Sequence, residues 1–175
     1  MRLMLLRHAK AEKAEPGERD HERALNARGH KDAARMGTYL AKHAFIPDGV
    51  LVSTARRTRE TWDGVAEALP GEPAVRFEER LYNGTSDGIL AVLQETKPAL
   101  SSLLVIGHNP GMHDLATLLI ASGDVESRER LNEGLPTAGL AIIDFASGSW
   151  AKLHPHGGRL ERFITPRSLA ETGAA

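Results

Sequence analysis

Apolar positions along the chain fall into two recurring patterns, short unbroken runs and helical spacing, and the two alternate. Residues 3–6 (LMLL) form an unbroken run bounded by Arg7 and His8, which predicts a short buried strand. A polar stretch with Pro16 and Gly17 follows and reads as a loop. From Arg28 the spacing turns helical, with Ala33, Met36, Leu40 and Ala41 on one face and an end near His43. Residues 50–52 (VLV) predict a second strand. Ser53 or Thr54 then offers a hydroxyl to cap a helix that runs to about Leu69, where PGEP stops it.

The same alternation continues. Residues 75–77 suggest a third strand. Thr85 or Ser86 caps a helix carrying Ile89, Leu90, Val92 and Leu93, which ends before Pro98. Residues 103–106 (LLVI) are the most apolar strand candidate, and Gly107 to Gly111 turn into a helix around 115–120. The charged segment 122–136 has helical potential without clear boundaries. Residues 139–145 and 150–154 read as two strands around a Ser147-Gly148 turn, a hairpin. Residues 1–167 would form one domain, with 168–175 a frayed tail. Strands alternating with helices predict an α/β fold, in three α/β/α layers around a mostly parallel sheet.

Composition narrows the partners more than it names them. The 175 residues carry 22 Lys+Arg against 23 Asp+Glu, a net charge of −1, so no global field favours nucleic acid or a membrane surface. With no cysteine, disulfides, thiolate nucleophiles and Cys-based zinc sites are excluded together. The opening apolar run is far shorter than a signal h-region or a membrane span, so a cytoplasmic location is expected. No heptad or long apolar edge specifies an oligomer.

Candidate chemistry sits on the strand ends. The first strand runs into Arg7-His8, the second into STARRTRET, and LLVI into Gly107-His108-Asn109. In a parallel sheet these ends share one edge, where ligands bind. A histidine behind one strand is ordinarily a hydrogen-bonded structural residue, but recurrence on three ends brings two imidazoles and arginine together. An Arg- and His-rich edge without an acidic cluster suits a phosphoryl group. Fixed guanidinium groups can stabilise its oxygens, and a neutral imidazole can attack phosphorus to form phosphohistidine.

LRHAKAE resembles the Arg-His signature of the histidine phosphatase superfamily, the group that includes phosphoglycerate mutases and many phosphatases. ERALNARGHKDA, LVSTARRTRET, ERLYNGTSDGIL, LLVIGHNPGMHDLA and the ending RFITPRSL resemble, in order, its small SixA-type phosphohistidine phosphatase branch. The resemblance implies a phosphoglycerate mutase-like fold with His8 as nucleophile and Arg7 as its phosphate-binding neighbour. It implies Arg57 as a second phosphate-binding arginine, flanked by solvated Arg56 and Arg59, and His108 as the second catalytic histidine. Arg23 would be an extra phosphate contact, although Ala24 and Asn26 depart from the Arg-Pro-Leu-Thr usual there. Glu79 in EERLYN matches the general acid of larger relatives, against the alternative of an exposed structural carboxylate.

The implied activity is a metal-independent phosphatase acting through phospho-His8, with no cofactor. Its partner would be a phosphohistidine protein or a small phosphate ester, with no nucleic acid and no membrane. A short loop after His8 predicts an open, shallow site. A mutase would use the same chemistry, but the chain is short for one. A non-catalytic phospho-ligand binding module should lack the nucleophile or an arginine, and both are present. The spacing of His108, His113 and Asp114 does not repeat the i, i+4 face of zinc motifs. His154 and His156 read as surface residues, and Trp62 and Trp150 as packing.

Overall fold

The three unbroken apolar runs are strands covered on both faces. In the computed structural model, which describes residues 1–97, 99–146 and 148–171, they form β1 (Arg2–Arg7), β2 (Gly49–Ser53) and β4 (Ser102–Gly107). With β3 (Ala74–Glu78), β5 (Ile120–Gly123), β6 (Leu140–Phe145) and β7 (Gly158–Ile164) they build one seven-stranded sheet in the order β3-β2-β4-β1-β6-β7-β5. Neighbours pair in parallel except at β6, which runs antiparallel to both β1 and β7.

Helices cover both faces, giving the three expected layers. Leu3 and Leu5 of β1 join a core with α3 (Ser86–Gln94) and α4 (Gly111–Leu119), through Ile89, Val92, Leu93, Met112 and Leu115. Met4 and Leu6 point the other way, into α1 (Ala27–Lys42) and α2 (Arg56–Ala66), through Ala33, Met36, Leu40, Trp62 and Val65. A strand buried on both faces must be apolar at every position, which is why these strands read as continuous runs.

Four elements differ from the sequence reading. Residues 150–154 are not a strand: Trp150–Lys152 is a 3₁₀ turn, and the Trp150 indole is buried with its N–H donating to the Leu100 carbonyl at 2.7 Å. The return strand is β7, antiparallel to β6, whose sequence GRLERFI interrupts its apolar residues with Arg159, Glu161 and Arg162. Ile120 ends α4 and begins β5 instead of completing the helix. Within 122–136, α5 (Val125–Glu133) forms behind an Asp124 cap that accepts from the Ser127 N–H at 2.8 Å.

Residues 168–171, expected to fray, belong to α6 (Pro166–Glu171), because Leu169 is buried in the α1–α2 core. Pro98, Ser147 of the expected turn and tail residues 172–175 lie outside the described residues. Among the described residues no helix is long and apolar enough to cross a membrane. The carboxyl ends of β1, β2 and β4 lie side by side, with Arg7 beside Gly107 in register.

Candidate active site

His8 is held in one tautomer. Its Nδ1 lies 2.8 Å from the Ala9 carbonyl oxygen, which only accepts, so the proton sits on Nδ1 and the Nε2 lone pair is left free. Ala9 is itself anchored: its N–H donates to Thr61 Oγ1 at 3.0 Å, and that hydroxyl donates to the Arg57 carbonyl at 2.6 Å. The histidine backbone N–H donates to the Gly107 carbonyl at 3.0 Å. Helix α2 and strand β4 therefore fix the ring from two sides.

The predicted residues converge. The rings of His8 and His108 lie 5.2 Å apart, and both residues are buried, as is Arg57. Arg56 and Arg59 are exposed, as the helical phase of RRTR requires once Arg57 points inward. Arg7 donates to the Leu135 carbonyl at 2.9 Å. Arg23 reaches the same edge, bonding Asp20 Oδ1 at 2.9 Å and the Glu12 carbonyl at 3.2 Å. Asn26, one of the two departures near Arg23, caps α1 by accepting from the Gly29 N–H at 2.9 Å, so the change keeps a capping side chain in place.

Burial and charge keep both imidazoles neutral. The His8 pKa is pushed down to about 4, chiefly by burial and further by the cations of Arg57, Arg7 and Arg23, against the opposing Ala9 bond. His108 is pushed down to about 3 by burial first, then by His8, Arg57 and His21, with Asp20 opposing. A neutral nucleophile with a free Nε2 is competent at ordinary pH. Arg7 Nε, Arg57 Nε and His108 Nδ1 are buried without a hydrogen-bond partner among the described residues. The two orphaned guanidinium donors, Arg7 Nε and Arg57 Nε, suit the oxygens of an anion.

Glu79 does not join this network. It is exposed at the start of the 3₁₀ turn Glu79–Leu81, and its carboxylate takes part in none of the bonds around the imidazoles. The carboxylate in the site belongs to Asp20, which sequence reasoning missed. Asp20 accepts from Arg57 through both its carbonyl, at 2.6 Å, and its side chain, at 3.0 Å, and from the Tyr82 hydroxyl at 2.9 Å. Partial burial works to raise its pKa, but Tyr82, Arg57 and Arg23 outweigh this and hold it down at about 2. Tyr82 also sets its ring edge-on to His108, with centroids 5.5 Å apart. The available signals were Asp20 three residues before Arg23 and Tyr82 inside EERLYN.

Ser53 and Thr54 are a second surprise. Neither caps α2, whose N-cap is Ala55 without a side-chain bond. The Ser53 hydroxyl lies 2.7 Å from His108 Nε2, and the Thr54 hydroxyl lies 3.0 Å from His21 Nε2. On the opposite side of Arg7 the edge opens into a groove of about 730 Å³, lined by Arg28, Asn109, Arg130, Phe163 and Arg167 among others. His113 bonds the Leu131 carbonyl at 2.8 Å, and among the described residues no cluster of three or more His, Cys, Asp or Glu is placed to hold a metal ion.

A sequence model of the histidine phosphatase superfamily (branch 1) matches residues 3–99. The chain belongs to that superfamily. An uncharacterized protein of Mycobacterium tuberculosis is 35% identical over 164 residues, covering 93% of this chain and 100% of the relative. A proposed phosphohistidine phosphatase SixA from Agrobacterium tumefaciens superposes with a TM-score of 0.80 at 33% identity, over 94% of this chain and 97% of that one. A second proposed SixA, from Nakamurella multipartitia, gives 0.81 at 29% identity, over 94% and 95%. This histidine phosphatase is thus of the SixA type, with a phosphoglycerate mutase-like fold, and its membership supports a phosphatase activity.

Proposed function

We propose that this superfamily member is a metal-independent phosphatase that hydrolyses phosphohistidine or a phosphate monoester through a covalent phospho-His8. The single observation that carries this reading is the His8 ring, neutral, tautomerically pinned by Ala9 and set among Arg7, Arg57 and His108. His8 Nε2 attacks phosphorus with its lone pair as the bond to the leaving nitrogen or oxygen breaks and that atom takes a proton. Water then attacks the phosphoryl group, the P–Nε2 bond breaks, its electron pair returns to the imidazole, and the water's proton leaves with solvent. Arg7, Arg57, His108 and Arg23 stabilise the charge on the three transferred oxygens.

Glu79, although outside the hydrogen-bond network of the imidazoles, is the proposed general acid for ester substrates on the strength of its position in EERLYN. An alkoxide leaves poorly unless protonated, whereas an imidazole leaving group matches the nucleophile and needs less help. The groove beside Arg7 favours a phosphorylated protein over a small ester, because it leaves room for a bulky leaving group. The test is hydrolysis of p-nitrophenyl phosphate and of a phosphohistidine peptide in EDTA. Turnover that survives chelation, with an acid-labile, base-stable label trapped on the enzyme, is the expected result. Strict metal dependence, or binding of the phosphopeptide without hydrolysis, would overturn the reading.

A further inference from the structure

The pair Ser53-Thr54 at the end of β2 looks like a helix cap and is not used as one. Ser53 is fully buried, and the sole hydrogen-bond partner of its hydroxyl among the described residues is His108 Nε2 at 2.7 Å. Its backbone carbonyl is satisfied separately by the Thr58 hydroxyl at 2.8 Å. Thr54 repeats the arrangement on His21, whose ring is edge-on to Tyr82, which is in turn edge-on to His108. Two adjacent hydroxyls therefore hold two imidazoles on the same side of the site.

A hydroxyl can donate to an imidazole nitrogen or accept from it, and the two choices give His108 opposite faces. If Nε2–H donated to Ser53, the buried Nδ1 would carry a lone pair among Arg57, His8 and a phosphoryl dianion. It would then repel the anion it is meant to hold. If Ser53 donates to Nε2, the ring proton sits on Nδ1, the atom that otherwise has no partner. Only this tautomer lets a neutral ring donate to a phosphoryl oxygen.

We propose that Ser53 is a positioning residue for this site: its hydroxyl donates to His108 Nε2 and thereby fixes the Nδ1–H tautomer that meets the transferred phosphoryl group. The proposal rests on the phosphatase reading for its chemical consequence, but the tautomer itself does not. His8 and His108 would then share one device, a fixed partner on one ring nitrogen that decides what the other presents. On His8 the partner is an acceptor and exposes a lone pair; on His108 it is a donor and exposes a proton. Burial keeps the second proton off His108, so the hydroxyl decides the outcome, with His8, Arg57, Asp20, His21 and Tyr82 the polar groups around the ring.

Long-range ¹H–¹⁵N correlation spectra of the wild-type enzyme at neutral pH should show His108 as the Nδ1–H tautomer. The Nε2–H tautomer would overturn the proposal while leaving the phosphatase reading intact. In Ser53→Ala the tautomer preference should be lost and the His108 pKa should rise, because the bond favouring the neutral ring is gone. An unchanged tautomer and titration would also overturn it. Turnover of p-nitrophenyl phosphate should fall about 10–100-fold, mainly in kcat, as when a support of a catalytic ligand is removed. Ser53→Thr, which keeps the donor, should recover to within about threefold of wild type. If wild-type enzyme shows no turnover at all, the spectra still decide the tautomer, so the two failures are distinct.

Discussion

Arg7 divides the carboxyl edge of the sheet into two regions of opposite character. Toward β4 and β2 lie His8, His108 and Arg57, all buried, with His8 tied to the adjacent Ala9 carbonyl, His108 to Ser53 and Arg57 to Asp20. Toward α5 and α6 lies an open groove whose Arg28, Arg130 and Arg167 are surface cations, Arg130 resting over the Phe163 ring and Arg167 paired with Glu171 at 2.9 Å. The first region is preorganised, so its electrostatics need no rearrangement when charge develops. The second offers area and adaptable charges, which suit a leaving group of variable shape. In the proposed reading, one edge thus separates the reaction from recognition of what leaves.

That division is broken most directly at the proposed nucleophile. His8→Ala should lower turnover in EDTA at least about 10⁴-fold, since no other side chain replaces the covalent step. Full activity in this variant, measured with p-nitrophenyl phosphate, would move the chemistry elsewhere. Arg57→Lys should cost about 10²-fold in kcat/KM on the same substrate, because an ammonium cannot reproduce the two-pronged geometry now occupied by Asp20.

The pH response sharpens the contrast between buried and exposed histidines. His8 and His108 bind protons only near pH 4 and 3, while their unfolded counterparts do so near 6.5. Between those values the unfolded chain carries more protons, so folding stability should fall as pH drops from 6.5 and level off below about 3. Chemical denaturation across that range should show a loss on the order of a few kcal/mol, reduced in His108→Gln. Imidazole resonances of His8 titrating near 6.5 would contradict the burial argument.

Smaller effects test the acid and the groove. Glu79→Gln should slow ester hydrolysis about tenfold yet leave phosphohistidine hydrolysis within about threefold, because only the ester needs protonation. Equal losses on both would remove Glu79 from that role. Arg130→Ala, measured by KM for a phosphohistidine protein against KM for p-nitrophenyl phosphate, should raise the former about three- to fivefold and the latter less. The reverse ranking would mean that the leaving group does not lie in the groove.

Legibility followed burial. β1, β2 and β4 could be read because strands covered on both faces are apolar at every position, and LMLL, VLV and LLVI admit little else. β7 was missed because its charged residues are admitted at its exposed positions, and the next apolar cluster, around Trp150, drew the strand assignment instead. Among site residues, His8, Arg57 and His108 each follow a readable strand, so their convergence was visible. Asp20 opens the 3₁₀ turn Asp20–Glu22, Tyr82 follows the turn Glu79–Leu81 and Ser53 stands at a supposed cap, where no periodicity marks them.

By itself the sequence determined the α/β layering, the shared strand edge and the presence on it of two histidines and at least one arginine, because these follow from local patterns of polarity. The tertiary structure decided which way each polar atom faces. It placed an acceptor on His8 Nδ1 and a hydroxyl on His108 Nε2, drew Asp20 onto Arg57, and left Glu79 in solvent. The His108 and Arg57 contacts join partners tens of residues apart in the chain, and the Ala9 acceptor, although adjacent to His8, is itself held by Thr61, so hydrogen-bond direction is set only when such partners meet.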